Sequence, residues 1–498
     1  MKNYTLLIAL VFSSVLSAQT DAEIAEQTVD KNEIEGHIYF LADDVLKGRA
    51  TGSPELKIAA SYLANTLRGY GVKPHPANGN SYYQTFSLLQ TAPPDMLKVS
   101  INGSDYPHTI AVNAKATSLS GEAVFLGFGQ AEDYKGKDVT GKLIIVRAGT
   151  AEAYDARATY MAHKQKQELA IANGAIGLIE MTLLEEDWWS RISHFMGESV
   201  KIPDPEDPEN PTNEFLHLWV NTSAEQLDAL MKSKGSYSIE TDGIKETTLI
   251  TQNVVGFMEG TDPKLKDEYI MYSAHYDHVG IGTPNTEGDS IYNGARDNAI
   301  GTTAVLSMAE NIGKYPTKRS AFFIFFTGEE KGLLGSQYYV QNPIFPLEQI
   351  VYGFNTDGGG YNNTSLATVI GLERTTAKKH IVDGAATFGL KAIDDPAPEQ
   401  GLFDRSDNVS FAKVGIPAPT YSTGFDAFDD EINKYYHQAM DEADSIDYDY
   451  LLKFYQGYIL SGRSIANDPE RPYWIKGDKY EADANVLYGR VPEAPLKN

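Results

Sequence analysis

Along the second half of the chain, six ionisable side chains sit in short, distinct contexts. They are His275 in Ser-Ala-His-Tyr-Asp-His (273–278), Asp297 in Gly-Ala-Arg-Asp-Asn-Ala (294–299), the pair Glu329-Glu330, Asp357 in Asn-Thr-Asp-Gly (355–358), and His437. Imidazole nitrogen and carboxylate oxygen are the donors Zn²⁺ takes in catalytic sites. Two imidazoles and three carboxylates suit a pair of such ions. The charges then leave a single positive one, which a bridging hydroxide cancels, and one carboxylate of the Glu-Glu pair stays free to move protons. The set reads as the centre of a hydrolase working with two metals. Singly, each residue would more often be structural: a satisfied loop histidine, a solvated Glu pair, an Asp that forms a turn before Gly. Their joint occurrence at successive strand ends carries the reading.

The elements that must hold these residues follow from periodicity. From about residue 250 apolar runs alternate with helical stripes. Strands are predicted at 253–258, 269–274, 321–327, 350–355 and 367–370, and helices at 299–312, 333–340, 376–388 and 450–465. Unbroken apolar runs such as Ala321 to Phe326 suit strands buried on both faces, so the expected fold is α/β with a mostly parallel central sheet flanked by helices. His275, the Glu pair and Asp357 then fall at carboxyl ends of strands, where open α/β sheets bind ligands. An earlier helix over 55–69, with Leu56, Ala59, Ala60, Leu63 and Leu67 on one stripe, ends at Gly69-Tyr70-Gly71.

Composition narrows the setting. Lys2, an apolar run from Leu6 to Leu16 and the small pair Ser17-Ala18 form a signal-peptide layout over residues 1–18, too short to span a bilayer. With no cysteine there is neither a disulfide nor a lipidated cysteine anchor, which points to a secreted or periplasmic bacterial protein with no membrane insertion after signal cleavage. Lys and Arg total 42 against 68 Asp and Glu, and the net charge of −26 excludes nucleic acid as a partner. The segment 202–211 (IPDPEDPENP) reads as an exposed loop.

Four of these segments, Ser-Ala-His-Tyr-Asp-His, Gly-Ala-Arg-Asp-Asn-Ala-Ile-Gly, Phe-Thr-Gly-Glu-Glu-Lys-Gly-Leu-Leu-Gly-Ser and Tyr-His-Gln-Ala-Met-Asp, resemble in order and spacing the metal-site motifs of the M28 zinc aminopeptidases. The resemblance extends upstream to Phe40 through Ser53 and so covers most of the chain beyond the signal segment. It implies two Zn²⁺ per chain, with Asp297 bridging them. His275 and Asp357 would complete one metal, and Glu330 and His437 the other. Zinc-bound water would be the nucleophile, Glu329 the general base, and Asp277 the carboxylate that orients the His275 imidazole. His278 fits the motif without binding metal.

Some positions depart from the family. Asp357 is followed by Gly358-Gly359-Gly360 where relatives carry a larger apolar residue, which implies a roomier pocket floor. Arg405-Ser406-Asp407-Asn408 resembles a substrate-side Arg-Ser-Asp-His motif with Asn for His. Phe403 offers no tyrosine to support an oxyanion, leaving Tyr421, Tyr435 or Tyr436 among 30 tyrosines.

Between 93 and 247 short strands at 124–128, 142–146 and 176–180 read as a smaller β-rich α+β insert. Residues 138–147 with Ile171 to Ala175 resemble the protease-associated domain often inserted in this family. Residues 19–92 and 248–498 would then be the two parts of the peptidase domain. Trp188-Trp189 reads as packing, and His163, His194 and His217 as ordinary histidines.

The expected activity is removal of N-terminal residues from peptides with a free N-terminus. Acidic residues Asp404, Asp407, Asp426 and Asp429 would favour an ammonium group, whereas a carboxypeptidase would want a basic cluster and only Arg296 and Arg405 lie nearby. The alternatives are a single-zinc glutaminyl cyclase, a carboxypeptidase on the same fold, and an inactive receptor or binding protein.

Overall fold

The computed structural model describes residues 19–203, 215–232 and 235–490. The signal segment 1–18, most of the Pro-rich loop 202–211 and the His194 side chain lie outside the described residues. The chain divides into two compact units, Met1–Thr85 with Thr251–Asn498, and Phe86–Ile250. The limits of the second unit fall inside two strands, Tyr83–Ala92 and Lys245–Met258, rather than at 93 and 247.

In the first unit the sheet contains β1 (Lys245–Met258), β2 (Tyr269–His275), β3 (Ser320–Phe326), β4 (Ile350–Asn355), β5 (Leu366–Ile370), β6 (Lys391–Ile393) and β7 (Thr420–Thr423). Their order is β6-β5-β7-β4-β2-β3-β1. Pairings β2–β3, β2–β4, β4–β7 and β5–β6 are parallel, while β1–β3 and β5–β7 are antiparallel. This is the mostly parallel sheet expected. Sequence reading missed β6 and β7: one is three residues long, and the other is Thr-Tyr-Ser-Thr, whose polar side chains are buried instead of solvated.

Both faces of the sheet are covered, which is why β3 can read Ser-Ala-Phe-Phe-Ile-Phe-Phe without alternation. Phe323 and Phe325 enter one core with helices Pro54–Gly69, Ile300–Lys314 and Tyr448–Asn467; Phe322, Ile324 and Phe326 enter another with Tyr339 and Phe411. Truncating any of these phenylalanines to alanine is worth about 3–5 kcal/mol.

The second unit is built on an eight-stranded sheet whose central strands Lys115–Phe125, Leu143–Arg147, Gly177–Thr182 and Leu216–Asn221 pair in parallel. Helix Ala156–Ala172 was not legible in the sequence because the stripe it buries is Thr159, His163, Lys166 and Ala170. Its spacing is helical and its chemistry polar. Lys166 Nζ meets Glu180 Oε2 at 2.7 Å, and Glu180 Oε1 accepts from Trp219 at 3.1 Å and faces His217 Nε2 at 3.0 Å. His163 and His217 are therefore buried, and the ionic cluster ties the helix to the sheet. Trp189 is buried and Trp188 exposed.

Candidate metal centre

Parallel register brings the carboxyl ends of β2, β3 and β4 level. His275 lies opposite Phe326, and Ser273 opposite Asn355, so Glu329, three residues beyond β3, and Asp357, two beyond β4, emerge beside the imidazole. Below them a buried polar ladder locks the strands: Ser273 Oγ donates to Asn355 Oδ1 at 2.8 Å, and Asn355 Nδ2 donates to Ser406 Oγ at 2.9 Å and Thr420 Oγ1 at 3.1 Å. Asp297 sits in an irregular turn just before helix Ile300–Lys314.

The two oxygens of Asp297 divide the site. Oδ1 lies 3.2 Å from His275 Nε2, which also meets Asp357 Oδ1 at 3.1 Å. Oδ2 lies 3.2 Å from His437 Nε2, which also meets Glu330 Oε2 at 3.1 Å. The five residues read as ligands thus converge as two groups sharing one carboxylate. His437 takes up a left-handed φ of 52°, a conformation that non-glycine residues hold where the surrounding structure imposes it, often at functional sites.

Each imidazole nitrogen faces two carboxylates, and a ring nitrogen has one proton at most to offer them. The donor set therefore calls for added positive charge, and it is one that Zn²⁺ accepts. The titration directions agree. Burial lowers His437, but the Asp297 and Glu330 carboxylates outweigh it and lift the imidazole to about 10. His275 is likewise raised by Asp357 and Glu329 against its burial.

The adjacent glutamates are driven apart. Burial pushes the Glu329 carboxyl well above its ordinary range, with Asp357 and Glu330 adding to it. Burial acts upward on Glu330 too, but His278 and His437 hold it at about 2. Two neighbouring acids with opposite shifts are the usual sign of divided acid–base roles.

His278, given no metal in the sequence reading, stands at 2.7 Å from Glu330 Oε1 through Nδ1 and belongs to a group with Asp297, Glu330 and His437. Its place requires Gly294: a Cβ there would meet the His278 ring at 2.6 Å. Asp277 is placed differently from expectation. His275 Nδ1 lies 3.1 Å from the Asp277 backbone carbonyl and 4.0 Å from its carboxylate.

The cavity over the site is lined by Asp297, Glu329 and Asp357, by the apolar Ile370, Leu402, Phe425 and Phe428, and by Arg405, Tyr436 and His437. Of the four acidic residues expected around it, none lines it: Asp404 pairs with Lys479, Asp426 accepts from Asn363, Asp429 caps Asp430–Asn433, and Asp407 is buried. Gly358 and Gly359 both line the cavity, and a Cβ on Gly358 would meet nothing closer than Thr423 Oγ1 at 3.5 Å, so its missing side chain leaves room there. A Cβ on Gly359 would lie 2.3 Å from the Tyr436 ring, so the missing side chain makes room for that tyrosine. Tyr436 stacks on His437 with centroids 4.1 Å apart, and its hydroxyl meets Arg405 Nη2 at 3.1 Å. Tyr421 is buried in the core and Tyr435 lies against the Arg296 guanidinium at 3.7 Å, so of the three candidates Tyr436 alone lines the cavity.

Sequence reading missed the part of Arg49. It is fully buried; Nε donates to the Tyr276 carbonyl at 2.9 Å, Nη1 to that of Asn293 at 2.6 Å and Nη2 to that of Gly294 at 3.1 Å. One side chain from the N-terminal segment thereby fastens the loops of His275 and Asp297. The local signal was its place in Arg-Ala-Thr-Gly-Ser.

A mostly parallel sheet with imidazoles and carboxylates converging at its strand ends defines the α/β metallo-exopeptidase class. The chain matches peptidase family M28 over residues 253–460. It is 25% identical over 406 residues to Aminopeptidase YwaD of Bacillus subtilis (strain 168), covering 80% of this chain and 77% of the relative. It is 23% identical to the probable lipoprotein aminopeptidase LpqL of Mycobacterium tuberculosis, with the same coverage. The fold is that of the aminopeptidase from Aneurinibacillus sp. strain AM-1, at a TM-score of 0.58 and 20% identity over 90% of this chain and 97% of that one.

Proposed function

We propose that the protein is an exported aminopeptidase that holds two zinc ions, one at His275, Asp357 and Asp297 and the other at Glu330, His437 and Asp297. The division of the Asp297 oxygens between two imidazole–carboxylate groups carries this reading. Bound there, the pair of ions would supply Lewis acidity, polarising the scissile carbonyl and acidifying water. Glu329, half-buried at the cavity wall with its carboxyl raised by desolvation, takes the proton of the attacking water and returns it to the departing amine. Tyr436, its hydroxyl fixed by Arg405, donates to the carbonyl oxygen as charge develops there.

Substrate orientation follows from the lining. Carboxyl oxygens of Asp357, Glu329 and Asp297 offer hydrogen-bond acceptors to a free α-amine, and Ile370, Leu402, Phe425 and Phe428 offer an apolar wall to the first side chain. Arg405 is the arginine that lines the cavity, while Arg296 is buried between Tyr361 and Tyr435, so a carboxypeptidase's basic cluster has no support. The five convergent donors weigh against a single-zinc cyclase and against an inactive receptor.

The unit Phe86–Ile250 is read as the protease-associated insert, and residues 1–18 as the export signal. Among the described residues no helix is long and apolar enough to cross a membrane.

The test is a panel of free and N-acetylated aminoacyl amides assayed with zinc present. Cleavage of the free amides, strongest for apolar first residues and mostly lost on acetylation, is expected. Efficient hydrolysis of N-blocked peptides from the carboxyl end would overturn the aminopeptidase reading.

A further inference from the structure

The turn that carries Asp297 is fastened from two opposite sides, by side chains with no place in the ligand set. On one side stands Asp441, four residues beyond His437 and fully buried. Its carboxylate accepts the backbone N–H of Arg296 at 2.9 Å through Oδ1 and that of Asp297 at 3.1 Å through Oδ2, and its backbone carbonyl accepts Ala295 N–H at 3.1 Å. Three successive N–H groups of the turn thus end on one residue of the His437 segment. Arg296 strengthens the same link: its guanidinium lies against Tyr435, and Nη2 donates to the Ser445 carbonyl at 2.8 Å.

On the other side stands Asn298. Its Nδ2 donates to the Thr356 carbonyl at 3.1 Å, one residue before Asp357, and its Oδ1 accepts Gly301 N–H at 3.0 Å. Thr356 N–H in turn donates to the Ser273 carbonyl at 2.8 Å, two residues before His275. The fit is close: a Cβ on Gly301 would sit 2.2 Å from Asn298 Oδ1 and 2.6 Å from the Thr356 carbonyl oxygen. Both fastenings are buried, where a lost hydrogen bond leaves an unsatisfied partner.

We propose that Asn298 and Asp441 are positioning residues that set the two halves of the metal centre separately. Asn298 holds Asp297 Oδ1 in register with His275 and Asp357, and Asp441 holds Asp297 Oδ2 in register with His437 and Glu330. This rests on the two-metal reading and deepens it. A carboxylate shared by two ions must satisfy two sets of partners at once, and one fastening on each side lets the halves be held independently. Outer partners of this kind are worth about 10–100-fold in metal affinity.

The experiment titrates chelator-stripped full chain with Zn²⁺ by calorimetry and with Co²⁺ by visible absorption. Wild type is measured first, and fewer than two ions bound there would sink the two-metal reading itself. With two bound, Asp441→Asn, which keeps one oxygen and loses the acceptor pair, should weaken one site by about 10–100-fold and leave the other unchanged. Asn298→Asp, which keeps the acceptor for Gly301 and loses the donor to Thr356, should weaken the other site. Glu330→Gln and Asp357→Asn, each removing one ligand, identify which site is which. Equal weakening of both sites by either variant, or of neither site, overturns the proposal. Should Asp441→Asn not fold by circular dichroism, Asp441→Ser is titrated in its place; failure of both to fold would assign Asp441 to the fold and overturn its part in the site.

Discussion

The Asp277 carboxylate accepts the backbone N–H of Glu329 at 3.2 Å through Oδ1 and the Thr51 hydroxyl at 2.7 Å through Oδ2. The family resemblance aims that carboxylate at the His275 imidazole, two positions earlier in the chain. The strand end instead turns so that the Asp277 backbone carbonyl meets His275 Nδ1, and the side chain reaches across to the neighbouring strand's loop. Asp277→Ala should therefore displace the backbone that aims Glu329, lowering kcat about 10–100-fold with zinc content kept. Metal analysis beside steady-state kinetics checks it; loss of zinc with kcat per bound metal unchanged would return Asp277 to the role of holding His275.

The opposite titration of the adjacent glutamates separates their variants. Glu329→Gln should keep both metals and the fold and lose roughly 10²–10⁴-fold in kcat, the range of a general base. Glu330→Gln should lose metal, since it removes the carboxylate that meets His437. Reversal of the two phenotypes would exchange the roles.

Exhaustive chelation should abolish activity and lower the melting temperature. Without cations Asp297, Glu330 and Asp357 repel one another, and an ion that binds only the folded chain stabilises it. Unchanged melting with full activity after chelation would refute the metal assignment.

Tyr436→Phe should lower kcat by roughly 10²–10³-fold, as removal of one oxyanion donor does. Its ring, stacked on His437, stays in place, so zinc content should not change. Tyr435→Phe and Tyr421→Phe serve as comparisons; an equal loss in either would remove Tyr436 from that role.

Acid should weaken the unit Phe86–Ile250 through its buried ionic cluster. Burial raises Glu180, but the His217 hydrogen bond and the Lys166 ammonium outweigh it and hold the carboxyl at about 2, against 4.5 for an ordinary glutamate. A depressed acid stabilises above its unfolded value, and that stability fades as pH falls from 4.5 toward 2. Burial also lowers His217 below its ordinary 6.5, so the unfolded chain binds its proton first and stability already falls below that pH. Glu180→Gln should cost about 3–5 kcal/mol at neutral pH, because Lys166 is left buried without its counter-charge, and should flatten the decline below pH 4.5. Calorimetric melting of both proteins across this range tests it; equal transitions would dismiss the cluster as a stabiliser.

Much of the first unit was legible because its information is local. Phe322 to Phe326 announce a doubly buried strand, and the metal-centre residues lie a fixed few positions past such runs. What stayed hidden depends on partners distant in the chain. Thr420 to Thr423 look like a polar loop until Asn355 donates to Thr420 and the carbonyls of Asp357 and Gly360 accept from Ser422 and Thr423. Thr159, His163 and Lys166 look like a solvated helix face until Glu180 arrives beneath them. Asp404, Asp426 and Asp429 lie close to the site motifs in sequence, yet Asp404 and Asp426 are taken up by the distant Lys479 and Asn363, and Asp429 by the helix it caps.

The contacts of Arg49 also set an order of events. Apart from the nearby Leu41 carbonyl, its partners Tyr276, Asn293 and Gly294 lie 227, 244 and 245 positions downstream, so a chain emerging from the ribosome carries this guanidinium long before the loops it fastens exist. Closing so wide a loop is slow compared with forming the helix Pro54–Gly69 next to it. The loops of His275 and Asp297 therefore set only after most of the polypeptide has been made, and the newborn chain passes through its own synthesis without a finished centre that could attack other proteins.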